Sequence, residues 1–135
     1  MLYYKTRMLF SWEENQNKKR TVFDKNNRSL IKEIKNKGIK DHNVLSAMEL
    51  VPRKMFVEQN FIREAYKNIP LPIDCGQTIS QPYVVAYMIS CLNLKNTDQV
   101  LEIGTGTGYQ TAILSNLCRH VVTIERFRKL YNQAK

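Results

Sequence analysis

The chain has 135 residues, 43% of them apolar and 24% charged, which suits one packed domain and excludes a second full domain, a disordered chain or a fibre. Its formal charge is +9, yet residues 1–40 carry eleven Lys and Arg against four acids, whereas residues 41–135 carry ten against eight. The excess is interleaved with Asn and Gln and has no zinc-finger spacing or aromatic ribonucleoprotein box, so a solvated basic extension is expected in preference to a nucleic-acid partner.

Cys75, Cys91 and Cys118 are odd in number and lack a C-x-x-C spacing, which argues against a disulfide framework and a zinc site and for three reduced thiols in the cytoplasm. No apolar run is long enough to span a bilayer, and charge breaks the opening MLYYKTRMLFSW too early for a signal-peptide core. A cytoplasmic protein with no membrane partner is expected.

Along the chain, residues 1–27 contain WEENQNKKR and DKNN and read as a mobile polar extension. Leu30, Ile31 and Ile34 then recur at helical spacing, with Asn27 and Ser29 as cap candidates and Gly38 as the stop. A second helix is expected after Asp41, with Val44, Leu45 and Met48 on one face. It ends near Val51, because Pro52 disfavours helical backbone in the residue before it. The stretch from Phe56 to Tyr66 is mixed in character, and Pro70 and Pro72 mark an extended connection read as a loop. In GQTISQPYVVAYMISCL, Ser80 is placed to cap a helix whose first turn accepts Pro82 and whose buried side carries Val84, Val85, Met88 and Ile89. Residues 28–97 thus form a helical amino-terminal region.

From Asp98 the texture changes: an apolar run, a glycine-rich turn, a helix, and a second apolar run ending in Glu125. This is the pattern of a β-α-β unit, over 98–135. Its turn reads Glu102-x-Gly104-x-Gly106-x-Gly108. A dinucleotide fingerprint needs glycine where Tyr109 stands, and a phosphate-binding P-loop needs Gly-Lys-Ser or Gly-Lys-Thr, which is absent. Alternate glycines after an acid are instead similar to the first motif of class I methyltransferases. Their cofactor, S-adenosyl-L-methionine, carries a sulfonium and an ammonium that a carboxylate such as Glu102 can face directly or through water. Glu125 closes the second strand, where a carboxylate can accept from both ribose hydroxyls. His42 and His120 have no partner spacing and read as structural.

Taken together, VPRKMFV at 51–57, Ala65-Tyr66, PLPID at 70–74, GQTISQPYVVAYM at 76–88 and VLEIGTGTGYQTAIL at 100–114 resemble the protein-L-isoaspartate O-methyltransferase family over about residues 28–135. The resemblance implies an α/β, Rossmann-like class I methyltransferase fold, preceded by amino-terminal helices and truncated after the second strand and its following helix. It also implies methyl transfer from S-adenosyl-L-methionine to the carboxylate of L-isoaspartyl residues in damaged proteins, a repair reaction. A carboxylate of ordinary pKa, about 4, is ionised at neutral pH, so such an enzyme needs position rather than a general base. By the same resemblance the Ser80 hydroxyl orients the substrate carboxylate, and Thr78 and Ile79 line the cofactor. Gly104, Thr105, Gly106 and Gly108 would pass along it, and Glu125 would hold its ribose.

The long Lys- and Asn-rich start departs from the family, with Met8 as a second candidate start, and the expected later strands have no counterpart. Three functional readings stay open at this point: one half of a split enzyme with a separate carboxyl-terminal half, a non-catalytic remnant, and a basic nucleic-acid-binding module.

Overall fold

A computed structural model describes residues 24–135. The expected basic extension therefore lies outside the described residues up to position 23; of its last four residues Asp24 caps the first helix and the other three belong to it. Helix α1 (Lys25–Asn36) starts at Asp24, whose carboxylate accepts the Asn26 N–H at 3.0 Å. Asn27 and Ser29 are not caps. Asn27 is buried inside α1, and its Nδ2 donates to the carbonyls of Met48 and Glu49 at 3.4 and 3.0 Å. Those are among the last carbonyls of helix α2 (His42–Leu50), which have no partner within their own helix. A polar residue on the buried face thus ties the two helices together. Asp41 caps α2 as expected, accepting from the N–H groups of Asn43 and Val44, and Val44, Leu45 and Met48 are buried.

The chain then makes two 3₁₀ turns, Arg53–Phe56 and Gln59–Glu64, the second within the stretch from Phe56 to Tyr66 whose sequence showed only mixed character. The expected loop beyond them is a hairpin: β1 (Leu71–Ile73) pairs antiparallel with β2 (Gln77–Ile79), Leu71 opposite Ile79. Pro72 belongs to a two-stranded ribbon, in which a missing N–H costs little, so proline did not exclude a strand. The hairpin tip contains Cys75 at φ 60° and is held to a later helix by Asp74, which accepts from Lys129 Nζ at 2.6 Å and Gln133 Nε2 at 2.7 Å.

Helix α3 (Pro82–Leu92) has Pro82 in its first turn as expected, but Ser80 does not cap it. The cap residue is Gln81, and the Tyr83 N–H is taken by the Asn68 side chain from the preceding loop at 2.9 Å. The buried face of α3 is Pro82, Val85, Ala86 and Ile89, while Val84 and Met88 are exposed. Asn93, at φ 49°, ends the helix.

The β-α-β unit is present where the pattern placed it: β3 (Gln99–Ile103), α4 (Tyr109–Leu114) and β4 (His120–Ile124), the strands parallel with Leu101 opposite Val122. Helix α5 (Arg128–Ala134) follows and buries Leu130. Ile34, Met48, Ile89, Ile113, Leu114 and Leu130 are fully buried in one core shared by the helical region and the β-α-β unit. Among the described residues β3 has a strand neighbour on one side only, and its Leu101 and Ile103 are 61% and 73% exposed. The apolar face of this strand is uncovered, whereas a parallel sheet normally has both faces covered. Among the described residues no helix is long and apolar enough to cross a membrane, and no group of three His, Cys, Asp or Glu is placed to hold a metal ion.

Candidate functional site

The glycine turn leaves the carboxyl end of β3. Gly104 and Thr105 donate their N–H groups to the Ile124 carbonyl at 2.7 and 3.3 Å, which keeps the turn against the end of β4. Gly106 follows at φ 56°, where side chains are rare, and its N–H donates to Glu125 Oε2 at 2.8 Å. Glu125 Oε1 accepts from the Phe127 N–H at 2.9 Å. Glu125 therefore shapes the glycine turn from the neighbouring strand, a role its sequence position did not disclose.

Below the turn, Glu102 points to the covered face of β3 and is only 5% exposed. Its Oε2 accepts hydrogen bonds from the hydroxyls of Thr111 and Thr123, the latter at 2.7 Å. Thr123 has one proton to give and Glu102 takes it, so the 2.7 Å contact between Thr105 and Thr123 has Thr105 as donor. Glu102 Oε1 is buried with no partner. Burial raises the Glu102 pKa above its ordinary 4.5, against the lowering effect of the Thr111 and Thr123 hydrogen bonds and of the nearby Gln110 side chain. A half-satisfied buried carboxylate is expensive, and a cationic ligand would relieve it.

A cavity of about 200 Å³ lies between this turn and the segment that leads from the hairpin into α3. Thr78, Ile79, Ser80, Glu102, Gly104, Thr105 and Gly106 all line it. Residues some 25 positions apart in sequence, expected to serve substrate and cofactor of one reaction, thus face one space. The hairpin lies close over the turn: a Cβ on Gly106 would sit 3.7 Å from Ile73 Cδ1. Ser80 is exposed, and its hydroxyl is not taken up in a helix cap.

Two expected site residues are not in the lining. Gly108, at φ 87°, precedes α4, and a Cβ there would meet Ala134 Cβ at 3.6 Å and Phe56 Cε1 at 4.0 Å. Those are ordinary contacts, so it is the positive φ that calls for glycine there. Glu125 is not among the lining residues, and its carboxylate accepts from the Gly106 and Phe127 N–H groups. Conversely Val85, Met88, Ile103, Thr107, Tyr109 and Gln110 line the cavity and carried no site role in the sequence reading. Met88 was expected in the core, and its helical spacing could not say which of two apolar neighbours it served. Arg53, inside the VPRKMFV segment, is fully buried and bonded to the Ser80 carbonyl. The only signal for it in the sequence was one arginine within an apolar stretch.

A parallel β-α-β unit with alternate glycines at its first turn, a buried acid before the turn and a second acid after β4 is the Rossmann-like fold of class I methyltransferases. Two solved structures share this fold with a TM-score of 0.71. One, from Plasmodium falciparum, is described as a candidate protein-L-isoaspartate O-methyltransferase in complex with S-adenosyl-L-homocysteine. It is 28% identical, with 82% of this chain and 54% of that one covered. The other, a protein-L-isoaspartate O-methyltransferase, is 30% identical, with 80% and 36% covered. Residues 25–135 match the family Protein-L-isoaspartate(D-aspartate) O-methyltransferase, and the chain belongs to that family. Among curated relatives of that name, the Parvibaculum lavamentivorans protein is 54% identical over 105 residues, 78% of this chain and 47% of the relative. The Serratia proteamaculans protein is 51% identical over 114 residues, 84% and 55% of the two chains. The chain thus spans about half the length of the curated relatives it matches.

Proposed function

We propose that this chain serves S-adenosyl-L-methionine-dependent methylation of L-isoaspartyl carboxylates in damaged proteins, within the cytoplasm. The observation that carries the reading is the cavity itself, where segment 78–80 and the turn 104–106 face each other across Glu102 and its unpartnered oxygen. Those residues fit the cofactor. Glu102 Oε1 can accept from an ammonium, and Gly106 lets the backbone approach a ligand. At about 200 Å³ the cavity is smaller than the usual ligand pocket of about 300–1,000 Å³, so it holds part of the molecule. When bound, S-adenosyl-L-methionine supplies an electrophilic methyl group.

The chain's own task is positional. Ser80, with its hydroxyl uncommitted to a cap, orients the incoming carboxylate, while Thr78 and Ile79 line the cofactor side. Gly104, Thr105 and Gly106 form the opposite wall, and Glu125 keeps that wall in shape while offering an edge to the ribose. Alignment and exclusion of water account for the rate advantage, since the nucleophile is already ionised.

The exposed apolar face of β3 favours a further element: additional polypeptide, joined or separate, that pairs with β3 and covers Leu101 and Ile103. The relatives, twice as long, have residues to supply this cover. Calorimetric titration with S-adenosyl-L-homocysteine, followed by labelled-methyl transfer to matched isoaspartyl and aspartyl peptides, tests the proposal. Transfer selective for the isoaspartyl peptide is expected from the completed protein, and transfer to both peptides alike would overturn the substrate assignment.

A further inference from the structure

Arg53 is fully buried, and its partners are carbonyl oxygens rather than a carboxylate. Nη1 donates to Ala65 at 2.8 Å and Lys67 at 3.3 Å, and Nη2 donates to Ile69 at 3.0 Å and Ser80 at 3.1 Å. The segment 65–70 runs between the second 3₁₀ turn and β1 with no strand partner, so its inward carbonyls would otherwise be orphaned. The alternation is informative. Carbonyls 65, 67 and 69 face Arg53, while the Asn68 carbonyl turns away to accept from Gln81 Nε2 at 2.8 Å. Both devices bind the same two stretches, 65–69 and 80–81.

The guanidinium has a second contact. Its carbon lies 5.9 Å from the ring centroid of Tyr109, the buried first residue of α4, and that ring packs against Phe56 at 5.5 Å between centroids. Tyr109 follows the glycine turn directly and lines the same cavity as Ser80. One side chain therefore touches both walls: the Ser80 carbonyl on one and the start of α4 on the other. Burying a cation without an anion is costly, and the four carbonyls that take its protons, that of Ser80 among them, offset the cost only while they stay in place around the guanidinium. A planar guanidinium reaches four carbonyls while its cation stays 5.9 Å from the Tyr109 centroid, and a lysine ammonium, with three donors, cannot satisfy all four.

We propose that Arg53 is a positioning residue that fixes the distance between Ser80 and the glycine-turn wall, and so sets substrate-carboxylate placement; this rests on the function proposed above. The test uses the full chain with Arg53→Met, which keeps length and loses every donor, and Arg53→Lys, which keeps charge and loses the fork. Hydrogen exchange read by mass spectrometry is expected to rise at least tenfold over 65–69 and 78–81 in Arg53→Met. In Arg53→Lys the rise should be smaller, with α2 and β4 unchanged in both. With the completed protein, KM for an isoaspartyl peptide should rise while the dissociation constant of S-adenosyl-L-homocysteine stays within twofold. Uniform loss of protection across α2 and β4, or unchanged exchange at 78–81, would overturn the proposal. Should Arg53→Met not fold, the local pattern in Arg53→Lys decides by the same criteria. If the parent chain binds no S-adenosyl-L-homocysteine, the cofactor reading fails, and the exchange pattern still decides whether Arg53 holds Ser80.

Discussion

Replacing Glu102 with glutamine separates structural cost from ligand binding at one residue. The substitution is isosteric: the amide oxygen can keep the bonds from Thr111 and Thr123, and the amide nitrogen takes the position of Oε1, which has no partner to lose. What disappears is the buried charge. Because burial raises the folded-state pKa, the folded protein binds more protons than the unfolded chain between pH 4.5 and the raised value, so wild-type stability falls as pH rises through that window. Glu102→Gln removes the fall. Its melting temperature should exceed that of the parent at neutral pH, with the gain shrinking as pH falls through that window and gone below about 4.5. Cofactor affinity should move the other way. A lost hydrogen bond between a charged acceptor and a charged donor is worth about 1.5–3 kcal/mol, or roughly ten- to a hundredfold in dissociation constant. Calorimetric titration with S-adenosyl-L-homocysteine, which retains the ammonium, and thermal melts at pH 4 and pH 7 give both readings. Unchanged affinity together with a lower melting temperature would refute the reasoning and reduce Glu102 to a fold residue.

Ser80→Ala should lower isoaspartyl methylation by the completed protein with stability within about 0.5 kcal/mol of the parent, because the Tyr83 N–H at the start of α3 is taken by Asn68 and not by Ser80; a large drop in melting temperature would contradict this. Gly106→Val places a branched side chain at φ 56° and close to Ile73, so titration should show loss of S-adenosyl-L-homocysteine binding. Asp41→Ala should cost about 1 kcal/mol of stability in a denaturant melt and leave ligand affinity alone, since it removes only the cap of α2. Leu101→Lys should raise the monomeric fraction of the chain in sedimentation and abolish its complementation by added polypeptide, because it charges the uncovered face of β3.

The β-α-β unit was legible because its signals are local: two apolar runs, glycines at fixed offsets and an acid at each strand end. Asp41 and Gly38 were legible for the same reason, a cap and a stop within one turn of the helix they bound. Where partners came from far along the chain, the sequence misled. Ser80 looked like a cap since nothing nearby announced that Asn68 would reach the α3 amide, and Asn27 looked like a cap because its true partners lie 21 and 22 residues away. The hairpin was read as a loop because its strands are three residues long, too short to display alternation. In the site, most residues expected from the motif line one cavity, whereas Glu125 and Gly108 lie outside its lining, Glu125 bonded to the turn at Gly106 and Gly108 at a positive φ before α4. Arg53 was invisible as a site residue, because its four acceptors are backbone carbonyls that any sequence would provide.

The most direct measurement is transfer of labelled methyl groups from S-adenosyl-L-methionine to an isoaspartyl peptide, and to its aspartyl counterpart, in three preparations. These are the chain alone, the region of the Serratia relative that lies beyond the match, and the two combined. The uncovered β3 face and the small cavity predict background transfer from each part and isoaspartyl-selective transfer from the combination. Turnover by the well-folded chain alone would contradict the need for added cover, and equal transfer to both peptides by the combination would contradict the isoaspartyl assignment itself.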